Sequence, residues 1–196
     1  NAINIRDGDE LIDVRVTTGE ADVILGTRDG MAIRFGEKDA RPIGRATSGV
    51  RGINLSKGDV VVGMVTILRP DTTLLVVTES GMGKRTLVDA YRFQQRGGKG
   101  VINMKTASKA GRVVAIKSVM EEDELMFITR NGVVNRQRVS EIRTIGRATQ
   151  GVRLVSLDEK DRVMDVARVI ADDADEAQEM EGGLQATGAN DEPQED

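Results

Sequence analysis

The sequence predicts an all-β protein, a β-propeller of four-stranded blades of which about three are present, followed by a disordered acidic C-terminal tail. Three observations carry this expectation. Thr27-Arg28-Asp29-Gly30 returns as Thr78-Glu79-Ser80-Gly81 and again as Thr129-Arg130-Asn131-Gly132, with 51 residues between copies. Each copy lies between two short runs rich in Val, Ile and Leu, and Asp-Gly, Ser-Gly and Asn-Gly favour the positive φ of tight hairpins. A glycine-bearing box, Gly44-Arg45-Ala46-Thr47-Ser48-Gly49-Val50, recurs in register as Gln95-Arg96-Gly97-Gly98-Lys99-Gly100-Val101 and Gly146-Arg147-Ala148-Thr149-Gln150-Gly151-Val152.

The elements follow in chain order within each repeat. An opening strand is expected at residues 11–16, 60–67 and 113–119, with a further copy at 163–169. The first hairpin strand covers 23–25, 74–77 and 125–128, and the second covers 31–35, 82–86 and 133–137. An irregular stretch leads to the box, and a last strand follows at 52–55, 101–104 and 154–157. Four strands per period of about 50 residues describe a propeller blade; a stacked solenoid of β repeats is the alternative. The repeats run over roughly 9–58, 59–110 and 111–160, with a closing strand at 161–170 and a tail at 171–196. Three blades and a piece cannot close a ring. Further blades are therefore expected upstream, and Asn1 in first place suits a fragment or a processed chain.

Composition excludes several chemistries. There is no His and no Cys among 196 residues. Imidazole and thiolate metal sites, a Cys nucleophile, a His general base and a disulfide framework are thus ruled out. No apolar run is long enough to span a bilayer, and no signal peptide is visible. The net charge of −4 hides an asymmetry: residues 1–170 hold 28 bases and 22 acids, and ten acids follow without a base. The basic body suits a polyanion. The acidic tail, poor in large apolar residues, is expected to be disordered, serving solubility or competing for the basic surface. Ser80-Gly81-Met82-Gly83-Lys84-Arg85-Thr86 lacks the spacing of a phosphate-binding loop and reads better as a hairpin. Glu121-Glu122-Asp123-Glu124 reads as a solvated turn, and no catalytic constellation is apparent.

Arginine recurs in columns: Arg34, Arg85 and Arg136; Arg41, Arg92 and Arg143; Arg45, Arg96 and Arg147. In a radial repeat such columns become arcs of positive charge, and guanidinium groups suit phosphate. Duplex DNA curved around the rim fits such an arc; single strands would call for stacking aromatics, and the chain has only Phe35, Tyr91, Phe93 and Phe127. Arginine also recurs in repeats to pair with carboxylates of the next blade, and one of the three columns is expected to do so. The box column ranks first because glycines let backbone approach phosphate; the second column ranks last. The candidate DNA-binding set is Arg34, Arg45, Arg51, Lys84, Arg85, Arg92, Arg96, Gly97, Gly98, Lys99, Gly100, Arg136, Arg138, Arg147 and Arg153.

Gln94-Gln95-Arg96-Gly97-Gly98-Lys99-Gly100, within a 51-residue β repeat, resembles the box of the gyrase A C-terminal domain family, Gln-Arg-Arg-Gly-Gly-Lys-Gly, with Gln95 in place of the second-position Arg. Residues 44–50 and 146–152 look like degenerate copies, so the principal box is expected upstream. The resemblance implies a six-bladed, pinwheel-like propeller with strands exchanged between blades. It implies a part of DNA gyrase, a DNA topoisomerase, that binds and wraps duplex DNA for ATP-dependent negative supercoiling. Its partners would be the rest of the gyrase A polypeptide together with gyrase B, in an A2B2 heterotetramer in the bacterial cytoplasm. The resemblance places the cleavage tyrosine, ATP and Mg²⁺ in other regions, with no cofactor or membrane contact here. Tyr91, aligned with Ala40 and Ile142, is not a nucleophile candidate. The equivalent domain of topoisomerase IV and a propeller scaffold for protein partners are the alternatives.

Overall fold

The computed structural model describes residues 2–106 and 110–169; the expected disorder of 171–196 falls outside the described residues. β1 (Asp22–Thr27) and β2 (Met31–Gly36) form the first hairpin, with Val23 opposite Phe35 and Leu25 opposite Ile33. β3 (Val61–Ile67) pairs with the free edge of β1. β4 (Thr73–Thr78) and β5 (Met82–Leu87) form the second hairpin. β6 (Val101–Ile102) then returns to the outer edge of β2. β7 (Val113–Val119) pairs with β4. β8 (Glu124–Thr129) and β9 (Val134–Arg138) make the third hairpin, β10 (Val152–Arg153) pairs with β5, and β11 (Val163–Val169) pairs with β8. The result is three antiparallel sheets, ordered β3-β1-β2-β6, β7-β4-β5-β10 and β11-β8-β9.

Each hairpin is therefore flanked by strands that belong to the following repeat. β3 packs against β7 and β7 against β11, which sets these strands on the inner side of the array and β6 and β10 on the outer side. One core lies between the first two sheets, built on Ile24, Val65, Leu74, Val76 and Ile116. A second lies between the next two, built on Leu75, Val77, Phe127, Val163 and Val166. β4 has a sheet against each face, so every residue of it is buried. That explains why its sequence is continuously apolar instead of alternating.

Two expected strands are missing, for one reason. Every opening strand that forms does so on the first hairpin strand of the repeat before it. Residues 11–16 have no such strand preceding them among the described residues; they are irregular, and Leu11, Ile12, Val14 and Val16 are exposed. The stretch 52–55 likewise lacks an outer edge to join. The last strand of the other repeats is shorter than expected and, in the third, begins earlier, at Val152. A short 3-10 turn after each second hairpin strand, at Glu37–Asp39, Val88–Ala90 and Val139–Glu141, has no counterpart among the elements expected from sequence.

The first two hairpin loops hold three residues and the third holds four, and in each only the glycine has positive φ. In each, the glycine N–H donates to the threonine carbonyl that ends the first strand, as Gly81 does to Thr78 at 3.0 Å. At Gly81 the backbone of the next repeat closes in as well: an added Cβ would stand 2.5 Å from the Val155 carbonyl oxygen. At Gly132 nothing lies within 4 Å. Both positions have a left-handed backbone, so they share the conformational cost of a side chain and differ in the clash. Gly132→Ala should therefore cost about 1–2 kcal/mol. Gly81→Ala should cost roughly 3 kcal/mol or more, because a backbone carbonyl of the next blade must also move. Denaturant unfolding of the two variants checks the difference.

Candidate nucleic-acid interface

The boxes of the second and third repeats are loops on the outer edge of the preceding blade. The Gln94 N–H donates to the Arg34 carbonyl, and Val101 pairs with Ala32, so residues 95–100 arch over Ile33 between two contacts with one strand. The third box does the same: Ile145 N–H donates to the Arg85 carbonyl, Val152 pairs with Gly83, and the loop passes over Lys84. Gly100 has φ +78 and lies so close to the Ala32 carbonyl that a Cβ would meet it at 2.3 Å. Glycine is needed there for the loop to rejoin the sheet, and Gly97 donates to the Gly52 carbonyl at 2.7 Å. The box glycines thus shape the loop on its blade.

The first arginine column is mostly internal. Arg34 Nε and Nη2 donate to Asp22, and Nη1 donates to the carbonyls of Val88 and Tyr91 in the next repeat. Its guanidinium also lies 4.4 Å from the centre of the Phe93 ring. Arg85 is buried; its Nε donates to the Ile142 carbonyl, again in the next repeat, and its Nη1 to Glu121. These two side chains clamp neighbouring blades together. They are corrections to the expected DNA-binding set, because their N–H groups are directed into the protein. Arg136 has no following repeat to reach among the described residues; it pairs with Glu124, is exposed, and keeps Arg138 as an exposed neighbour on the same carboxylate.

Lys84 is a further correction. Its side chain is fully buried at 0 % exposure, and its Nζ donates to Thr86 Oγ1, Gly146 O and Arg147 O at 3.0, 3.0 and 2.6 Å. It cannot touch a phosphate directly. The box arginines are half-committed: Arg96 donates to the carbonyls of Asp39 and Arg51, and Arg147 to those of Ala90 and Ile102. These are equivalent acceptors one repeat apart, so each box arginine pins its loop to the blade before.

The second column, ranked last from sequence, is the one left open. Arg41, Arg92 and Arg143 are exposed and make no side-chain hydrogen bond or ion pair among the described residues. Arg41 follows Asp39 closely and Arg92 follows Ala90, so each stands beside the carbonyl that a box arginine grips. Arg45, Arg51, Lys99 and Arg153 are also exposed without such partners. Arg51 lies against Gly97, its Cγ 4.0 Å from where a Cβ would be. The described residues thus carry a once-per-repeat series of free cations, Arg41, Arg92 and Arg143, each just ahead of a box, and the second and third boxes are held in place by Arg96 and Arg147. Sequence reasoning left Arg41 and Arg143 out of the set; the signal for them was the periodicity itself.

The acidic turn at 121–124 is not merely solvated. Asp123 is buried, accepts the Met120 N–H at 2.8 Å and faces Arg168; Glu124 pairs with Arg136. Arg85, through its hydrogen bond and charge, holds the Glu121 carboxyl below its ordinary value. Among the described residues no cluster of carboxylates has metal-site geometry, and no helix is long and apolar enough to cross a membrane.

Three exchanged-strand sheets with a basic outer rim define a β-propeller of the pinwheel type. The chain belongs to the family described as DNA gyrase C-terminal domain, beta-propeller, whose model matches residues 1–18, 21–67, 72–120 and 123–170. It is 46% identical to the DNA gyrase A protein of Staphylococcus aureus over 181 residues, which cover 92% of this chain and 20% of that protein. The chain thus spans about a fifth of the length of that relative. Among solved structures it is similar to the C-terminal domain of DNA topoisomerase IV, with a TM-score of 0.83 and 25% identity over 96% of this chain and 58% of the other. It is also similar to a DNA gyrase A C-terminal domain, with a TM-score of 0.80 and 28% identity over 86% of this chain and 57% of the other.

The division of labour among the arginines is testable through stability. Arg85→Ala should lower unfolding free energy by roughly 2–3 kcal/mol, chiefly through the lost charge-assisted bond to the buried Ile142 carbonyl. Arg92→Ala should stay within about 0.5 kcal/mol of wild type. Because the Glu121 pKa is lowered in the fold, its contribution is complete above the unfolded carboxylate range and disappears as pH falls through the folded value. In Arg85→Ala, an NMR titration should find Glu121 returned to the ordinary range.

Proposed function

We propose that this chain is a DNA-binding and DNA-wrapping part of a gyrase A protein, curving duplex DNA along the outer rim to support ATP-dependent negative supercoiling. The observation that carries this reading is the once-per-repeat series of exposed, unpartnered arginines, Arg41, Arg92 and Arg143, beside the box cations Arg45, Arg51, Lys99 and Arg153. A smooth path past equivalent positions of successive blades matches a polyanion with a regular backbone. Guanidinium groups meet its phosphates without reading its sequence. Duplex is favoured over single strands because three of the four aromatics, Phe35, Tyr91 and Phe127, are buried, and the fourth, Phe93, is exposed but stands alone with the Arg34 guanidinium over one face, so no row of stacking platforms exists among them.

In this reading the working unit is the A2B2 assembly in the bacterial cytoplasm, with strand cleavage, ATP and Mg²⁺ handled outside this chain. Gyrase is favoured over topoisomerase IV by the 46% identity to a gyrase A protein and by the intact Arg96-Gly97-Gly98-Lys99-Gly100 run. A scaffold for an acidic protein is the contrasting reading.

Replacing Arg92 and Arg143 together by alanine should weaken binding similarly on unrelated DNA sequences. It should also flatten the slope of log K against log salt by about 2, since each lost phosphate contact removes about 0.9. The same variant should trap less linking difference when nicked plasmid is closed in its presence. Unchanged slope and unchanged linking number would remove the second column from the track. A scaffold would leave plasmid topology untouched even in the wild type.

A further inference from the structure

The third box rests on a feature that the second lacks. Beneath residues 95–100 lies Ile33, an apolar floor; beneath residues 146–151 lies Lys84. Its ammonium reaches two successive backbone carbonyls of the box, Gly146 and Arg147, from inside the protein. The third donor bond goes to Thr86, whose hydroxyl in turn donates to the Ile145 carbonyl at 3.0 Å. Next to this lies Tyr91, buried, with its hydroxyl on Asn103 at 2.6 Å. The equivalent positions one repeat earlier are Ile33, Phe35, Ala40 and Gly52, so the polar network is particular to the second blade.

The network holds a positive charge without a negative one. Lys84 forms no ion pair among the described residues. Val76 faces it from β4. The charged group nearest it from the box is Arg147, of the same sign. Its chain neighbour Arg85 has its own carboxylate in Glu121. The Tyr91 phenol is pushed well above its ordinary value by burial and remains neutral. A buried cation facing only carbonyls, a hydroxyl and another cation is costly in the free protein, and an anion settling on the loop above would offset that cost.

We propose that Lys84 is a positioning residue for phosphate binding at the third box. Its buried ammonium draws the Gly146 and Arg147 carbonyls inward, shapes the loop that Arg147 and Arg153 flank, and supplies positive charge from below, so that a DNA phosphate binds there with the amine protonated. This rests on the reading of the rim as a DNA track. The balance lies within reach of mild alkali: burial first, and then Arg147, lower Lys84 to about 8. Deprotonation removes the charge and slackens the loop. For the fold the sign is opposite. With the folded value below the unfolded 10.5, the unfolded chain binds more protons between about 8 and 10.5, so Lys84's contribution to stability improves as pH rises through that window.

The test uses the full-length protein carrying this chain, a duplex longer than the rim, and affinities measured from pH 7 to pH 9.5. Wild-type affinity should fall about tenfold across this range for each pKa unit by which bound phosphate raises Lys84. Lys84→Met should bind more weakly at pH 7 and lose that fall, and Lys84→Arg, which keeps its charge, should recover part of the pH 7 affinity without the fall. Wild-type binding at pH 8, measured by calorimetry in two buffers of different ionisation enthalpy, should take up protons. This last measurement needs no variant and holds even if Lys84→Met fails to fold. A merely structural lysine would move stability and affinity in the same direction with pH; here they should diverge. Wild-type affinity that is flat from pH 7 to 9.5, or binding without proton uptake, overturns the role of Lys84 while leaving the track intact. Absence of any salt-dependent DNA binding by the wild type overturns both.

Discussion

The structure depends on strand borrowing. No hairpin here carries its own full sheet: β1–β2 is completed by β3 and β6, and β4–β5 by β7 and β10. An isolated two-stranded hairpin is marginal in water, and an open sheet edge invites promiscuous pairing. Borrowing solves both problems by making each blade a joint product of neighbouring repeats. It also fixes where the functional loops must lie. Because β6 and β10 belong to later repeats yet sit on the outer edges of earlier blades, the box that precedes each of them is carried to the rim of its neighbour. The position of the proposed DNA track is thus a by-product of how the sheets are closed.

Much of this architecture is legible in the chain, because turn chemistry and apolar runs are local signals. The three hairpins announce themselves through Asp29-Gly30, Ser80-Gly81 and Asn131-Gly132, and the strands on either side fall within a residue or two of where the pattern puts them. Strand partnership is not local. Alternation along 113–119 says that a strand forms and says nothing of whether its partner lies before or after it. Residues 11–16 have the same pattern as their equivalents and remain irregular, because the partner decides.

The arginine columns are visible as a recurrence, but recurrence cannot distinguish a clamp from a contact. Arg34 and Arg85 reach backbone carbonyls more than fifty residues away, and every residue has a carbonyl, so no composition marks those acceptors. Lys84 reads in sequence as one more rim cation beside Arg85; only the arch of the third box above it turns the side chain inward. The glycines mislead in a related way. Their abundance suggests close approach of a ligand, whereas the close approach at Gly81 and Gly100 is made by backbone of the chain itself.

Clamps and contacts belong together physically. Curving a duplex over a few turns costs of order 1–6 kcal/mol, and that strain pushes back on whatever holds it. A rim whose blades could splay would relax under the load and leave the DNA straight. Each blade joint here is closed in three ways at once: by exchanged strands, by a first-column arginine reaching into the next repeat, and by a box arginine gripping the turn before. None of these groups needs to touch DNA to matter for its path. On the proposed reading, they keep Arg41, Arg92 and Arg143 at a fixed spacing, so that phosphate contacts would be made only by a duplex that has bent to meet them.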